Sequence, residues 1–86
     1  MVLLQEITVP GCVECKRFEE WWKTNGAGFP NVRLEQINAL DPAGQEMVLK
    51  YSIMASPGII INEELFSSGG VNTNALAKKL REMTNS

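Results

Sequence analysis

The chain is 86 residues long, 44% hydrophobic and 21% charged, with a net charge of −2. That length allows one small domain with a modest core, here residues 1–86 as a single unit. The acidic balance argues against a nucleic-acid partner. The longest apolar runs, such as Gly58 to Ile61, are far too short to span a bilayer. The first residues lack the charged start, apolar middle and small-residue cleavage site of a secretory signal, so cytoplasmic residence is the expectation. In that compartment disulfides are usually transient and catalytic.

Val2 to Val9 is rich in aliphatic and β-branched residues and stops at Pro10-Gly11, which predicts a first strand. A helix is predicted from about Cys12 to Asn25, with Cys15, Phe18 and Trp22 at i, i+3 and i+7 on one face and Gly26 and Gly28 ending it. Trp22 therefore reads as core, whereas Trp21 falls off that face and lies flat on the surface. Glu19, Glu20 and Lys23 read as a solvated helix face. Val32 to Ile37 alternates as a second, weaker strand.

Asp41-Pro42 opens a second helix, because Asp suits the cap and proline the first helical position. Gly44, Met47, Val48 and Tyr51 give it one repeating face. Gly58 to Ile61 and Glu64 to Ser67 flank Asn62-Glu63 as a hairpin. Gly69-Gly70 is a turn, and Asn72 or Thr73 caps a last helix to about Met83, with Leu76, Leu80 and Met83 inward. The order β-α-β-α-β-β-α begins with a right-handed crossover and closes with an antiparallel hairpin. The predicted fold class is α/β, a four-stranded mixed sheet flanked by three helices.

Cys12 and Cys15 are the only cysteines, and three chemistries compete for them. Structural zinc needs about four ligands, while this chain offers two thiolates and no histidine; a cluster of iron and sulfur shared between two subunits meets the same shortage. A structural staple across so short a loop removes little chain entropy. Reversible thiol–disulfide exchange uses every feature. The start of a helix stabilises a thiolate through its unpaired N–H groups, and Cys12 stands there. Cys15, one turn on and on the apolar face, is placed to resolve a mixed disulfide on Cys12. Lys16 and Arg17 favour the thiolate and Glu14 disfavours it, so the charges oppose one another; Glu14, by destabilising the thiolate, is the one that inclines the pair towards a reductant rather than a strong oxidant.

Ser56-Pro57 directly precedes the third strand, where a residue without an N–H is tolerated. With Cys12-Val13-Glu14-Cys15 after the first strand and Gly69-Gly70 before the last helix, this order resembles the thioredoxin-like superfamily over nearly the whole chain. The likeness is strongest to its small, glutaredoxin-sized members, which lack an extra N-terminal strand and helix. It implies a thioredoxin-like fold, a cis Pro57 packed beside the cysteines, and main-chain pairing of Ser56 with an extended substrate segment. Gly11, in place of the family's tryptophan, allows close approach, and Val13-Glu14 departs from both the thioredoxin and the glutaredoxin dipeptides. Thioredoxins carry a buried aspartate beneath the pair. Glu6 stands at a similar spacing, but the cost of burying a lone carboxylate favours an exposed Glu6.

The resulting expectation is a thiol–disulfide oxidoreductase with Cys12 attacking, Cys15 resolving, and Gly11, Ser56, Pro57, Gly69 and Gly70 contacting substrate. No metal or cofactor beyond the Cys12–Cys15 disulfide is expected. Its partners would be disulfide-containing proteins and a reductase or thiol donor, with no nucleic acid or membrane, in a monomer or weak dimer. Two alternatives stand beside it. One is a glutaredoxin-like, glutathione-dependent enzyme that seats a carboxylate at Gly69, Gly70, Asn72 and Thr73. The other is a redox-inert binding or metal-carrying module on the same fold.

Overall fold

The computed structural model describes residues 1–84. The first strand, β1 (Val2–Thr8), runs through the middle of the sheet. Side chains alternate across a strand, so Val2, Leu4 and Glu6 point to one face and Leu3, Gln5 and Ile7 to the other. After β1 come helix α1 (Val13–Asn25), a single 3₁₀ turn, strand β2 (Val32–Asn38) and helix α2 (Pro42–Tyr51). Strands β3 (Gly58–Ile61) and β4 (Glu64–Ser68) and helix α3 (Thr73–Thr84) complete the chain. The sheet order is β2-β1-β3-β4, with β1 parallel to β2 and antiparallel to β3, and β3 antiparallel to β4.

The first face is the main core. Val2, Leu4, Ile59 and Ile61 from the sheet meet Phe18 of α1 and Leu76 and Leu80 of α3. Burying each such side chain contributes about 1.5–3 kcal/mol. Ile7 and Ile60 point the other way, where Met47, Lys50 and Tyr51 of α2 lie over Leu3 and Gln5. Gly44 lets α2 approach closely, because a Cβ there would collide with the carbonyl of Asn38. Asn62 and Glu63 both adopt positive φ, 47° and 68°, in the two-residue turn between β3 and β4. The primed hairpin turns require that handedness. The Asn62 side chain also accepts from the Leu3 N–H at 2.8 Å, tying the turn to β1.

Element boundaries shift by a residue or so from the sequence reading. β1 ends at Thr8, β4 extends to Ser68, and Cys12 is the cap of α1 rather than its first residue. Asn72, not Thr73, caps α3, its Oδ1 accepting from the Ala75 N–H at 3.0 Å. Trp21 is half-buried and packs against the core beside Trp22, so it is not simply a surface ring.

Candidate functional site

The chain leaves β1 at Thr8 and reaches α1 through Val9-Pro10-Gly11. Gly11 has φ +78°, in the left-handed region, and a Cβ built on it would meet nothing within 4 Å. The turn calls for a glycine at that φ, and no other part of the chain fills the space beside it. The turn delivers Cys12 to the N-cap of α1, where its Sγ accepts the Cys15 N–H at 3.0 Å. Cys12 and Cys15 form a disulfide with Cα atoms 5.2 Å apart. Cys15 is buried at 2% exposure, while Cys12 is half-exposed, so only Cys12 is open to an incoming group.

The loop before β3 completes the site. The Ser56–Pro57 peptide is cis, and Pro57 is buried. The Ser56 hydroxyl donates to Cys12 Sγ at 3.1 Å. Among the described residues, the Ser56 main-chain N–H and C=O take no hydrogen-bond partner. Gly69, at φ +89°, donates its N–H to the carbonyls of Ala55 at 3.2 Å and Pro57 at 3.1 Å, which braces the proline loop from behind. Val13 and Met54 are exposed apolar side chains within two residues of Cys12 and of Ser56.

The charges are arranged unevenly. Glu14 Oε1 accepts from Arg17 Nη1 at 3.4 Å, an exposed pair of little energetic weight. Its other oxygen, Oε2, lies only 3.2 Å from where a Cβ on Gly70 would stand. A carboxylate of the chain itself therefore sits at the turn before α3. Gly11, Cys12, Cys15, Ser56 and Pro57 are brought together, Gly69 supports them from behind, and Gly70 faces Glu14.

Glu6 is fully buried, contrary to the sequence expectation. It lies on the α1 side of the sheet, in register with Gln36 of β2 and Ile59 of β3. Gln36 Nε2 donates to Glu6 Oε1 at 3.0 Å, while Glu6 Oε2 has no donor among the described residues. Burial pushes the Glu6 carboxyl up from 4.5 to about 8, and the neighbouring Glu19 carboxyl pushes it the same way. Gln36 pulls against both. The cost that argued for exposure is offset because this group keeps its proton to near pH 8. Glu19 is likewise half-buried, where a solvated face was expected.

Two features were missed by sequence reasoning: the Ser56 hydroxyl on the sulfur and the approach of Glu19 to Glu6. The first spans 44 residues and carries no local signal. The second was readable in part, since Glu19 follows Cys15 by one helical turn on the same side. Among the described residues no group of three or more His, Cys, Asp and Glu side chains is gathered as a metal site.

A family model described as "Thioredoxin domain" matches residues 5–82. Mitochondrial thioredoxin 3 of Saccharomyces cerevisiae, in its oxidised form, superposes with TM-score 0.74 at 18% identity, over 94% of this chain and 77% of that one. Thioredoxin of Fasciola hepatica gives TM-score 0.73 at 15% identity, over 94% and 79%. The first thioredoxin domain of mouse protein disulfide-isomerase A4 gives 0.68 at 20% identity, over 94% and 61%. At these identities the likeness is one of fold. Among curated proteins none matches the chain in sequence. No helix among the described residues is long and apolar enough to cross a membrane.

Proposed function

The chain belongs to the thioredoxin domain family, matched over residues 5–82, and from that membership and the Cys12–Cys15 geometry we propose that it reduces protein disulfides. One observation carries the proposal: a disulfide at a helix start with its outer sulfur open, its inner sulfur buried, and a cis-proline loop against it.

In the reduced protein, Cys12 is the nucleophile. The α1 N-terminus, the Cys15 N–H and the Ser56 hydroxyl all place positive charge density on its sulfur, which favours thiolate over thiol. The Cys12 thiolate attacks one sulfur of the partner's disulfide. The partner's S–S bond breaks, and its other sulfur leaves with the electron pair and takes up a proton. Cys15 then loses its proton and attacks Cys12 Sγ, which breaks the mixed disulfide and releases the partner's second thiol. The partner gains two electrons and the cysteine pair loses them. A thiol donor or reductase returns them by the reverse route.

Substrate recognition follows from the loop. The unpartnered main chain of Ser56 suits antiparallel pairing with an extended segment around the partner's cystine. Val13 and Met54 suit apolar neighbours of that cystine. Glu14 beside Gly70 opposes the glutathione reading, because a tripeptide carboxylate arriving at the α3 start would meet a like charge. A reducing compartment such as the cytoplasm fits a donor of this kind.

The test is a redox titration of the purified chain, with alkylation and mass readout of both cysteines. The proposal expects a single two-electron transition near that of a cytosolic reductant, about −270 mV. Cysteines that titrate independently, or a transition near that of a strong oxidant at about −120 mV, would contradict it.

A further inference from the structure

A strand at the edge of a sheet carries main-chain groups that the sheet itself leaves unpaired. The order β2-β1-β3-β4 makes β2 and β4 the two edges, and they are not alike. The pairing of β4 is broken by a register shift at Ile59 and Ile60, and such a break spoils an edge as a template for another strand. β2 runs in unbroken register with β1 from Val32 to Asn38, with no proline and no lysine along it.

The direction of its free groups follows from that register. The Asn31 carbonyl accepts from the Val2 N–H, and the Ala39 N–H donates to the Thr8 carbonyl. The odd-numbered residues of β2 therefore turn their main chain towards β1, and Val32, Leu34, Gln36 and Asn38 turn theirs outward. The Val32 N–H is taken by Phe29 and the Asn38 carbonyl by Asp41. The Val32 carbonyl and both main-chain groups of Leu34 and Gln36 have no protein partner among the described residues. The side chains beside them carry opposite charges. Arg33 and Glu35 flank Leu34 on the face covered by α2, in register with Leu3 and Gln5. Arg33 is exposed and has no acidic partner among the described residues. Glu35 accepts from Gln5 Nε2 through Oε1 alone, at 2.8 Å.

We propose that β2 is the interface of a homodimer, in which two copies join their β2 strands antiparallel about a two-fold axis at Leu34. The two Leu34 residues then exchange N–H···O=C bonds, and each Gln36 N–H reaches the Val32 carbonyl of the second copy. Arg33 stands opposite Glu35 of the second copy, and Glu35 opposite its Arg33, at the closely spaced positions where side chains interact most. An axis at Arg33 or at Glu35 would set like charges against each other. An axis at Gln36 would set Leu34 against Asn38 and leave both charges unmatched. Charge complementarity thus favours a second copy of this chain over a foreign strand, and it fixes the register. So short an interface makes a weak and salt-sensitive dimer.

The experiment uses the oxidised full chain at low salt. Amide hydrogen exchange is followed by NMR as the protein concentration rises. The Leu34 and Gln36 amides should gain protection with concentration, whereas those of Arg33 and Glu35, already bonded to β1, should not change. Sedimentation then compares wild type with Arg33→Glu and Glu35→Arg. Each variant faces its own kind with like charges, so its dissociation constant should rise about tenfold or more. The two variants mixed are complementary at both positions, and a one-to-one heterodimer should form with about the wild-type affinity. Leu34 and Gln36 amides that stay open at every concentration would overturn the dimer and leave this edge to a strand of another protein. A dimer unchanged in both variants, or variants that fail to combine, would overturn the pairing at Leu34. The exchange measurement needs no substitution, so it decides the proposal even if a variant misfolds.

Discussion

Replacing Glu6 with glutamine keeps the size of the side chain and the oxygen that accepts from Gln36, but removes the charge that burial opposes. In the native protein this carboxyl holds its proton to about pH 8, against 4.5 for an unburied glutamate. The native state therefore binds the proton more tightly than the unfolded chain. Stability is complete below about pH 4.5 and falls as pH rises through the window up to about 8, where the loss levels off. At about 1.4 kcal/mol per pH unit, the full effect is about 5 kcal/mol, and the part between about pH 5 and about pH 8 is between about 3 and 4 kcal/mol. Against a total of about 5–15 kcal/mol for a small domain, that is plainly measurable. Urea unfolding of the oxidised protein across this range, wild type against Glu6→Gln, is the assay. The wild-type curve should decline towards high pH, the variant should stay flat, and the gap should widen in the variant's favour. Two parallel profiles would refute the argument, since they would mean that Glu6 is ionised in the native protein at little cost.

Ser56→Ala removes the 3.1 Å bond to Cys12 Sγ; a hydrogen bond to a charged group contributes about 1.5 kcal/mol or more, so alkylation of Cys12 in the reduced protein should slow roughly tenfold near pH 7. Glu14→Gln removes the carboxylate beside Gly70; reaction of the oxidised protein with glutathione should speed up several-fold at low salt and less at high salt, as read by mass of the mixed disulfide. Gly11→Ala should cost about 1–2 kcal/mol by denaturant unfolding, because φ +78° is strained for any L side chain while no atom lies within 4 Å to clash.

Much of the fold is readable from one sequence because its signals are local. The aliphatic run of β1, the i, i+3 spacing of Cys15 and Phe18, Asp41-Pro42 at the start of α2 and the inward leucines of α3 each follow from their neighbours in the chain. The cysteine pair is legible for the same reason, since two residues of spacing place both sulfurs on one turn. What could not be read comes from pairing. Alternation alone would have put Glu6 on the face of Leu4, but the compensating Gln36 is supplied by the β1–β2 register, which no short stretch encodes. Ser56 and Gly70 tell the same story. One reaches Cys12 and the other faces Glu14 only after the crossover and hairpin bring distant loops together.

The division of labour between the sulfurs can be tested by trapping. A cystine-containing peptide is offered to the reduced Cys15→Ser and Cys12→Ser variants, and adducts are weighed intact without added thiol. Cys15→Ser should accumulate a stable mixed disulfide through Cys12, because the buried resolving sulfur is gone, while Cys12→Ser should capture nothing. Capture by Cys15 in the second variant, or no adduct in the first, would contradict the assignment of Cys12 as the attacking thiol.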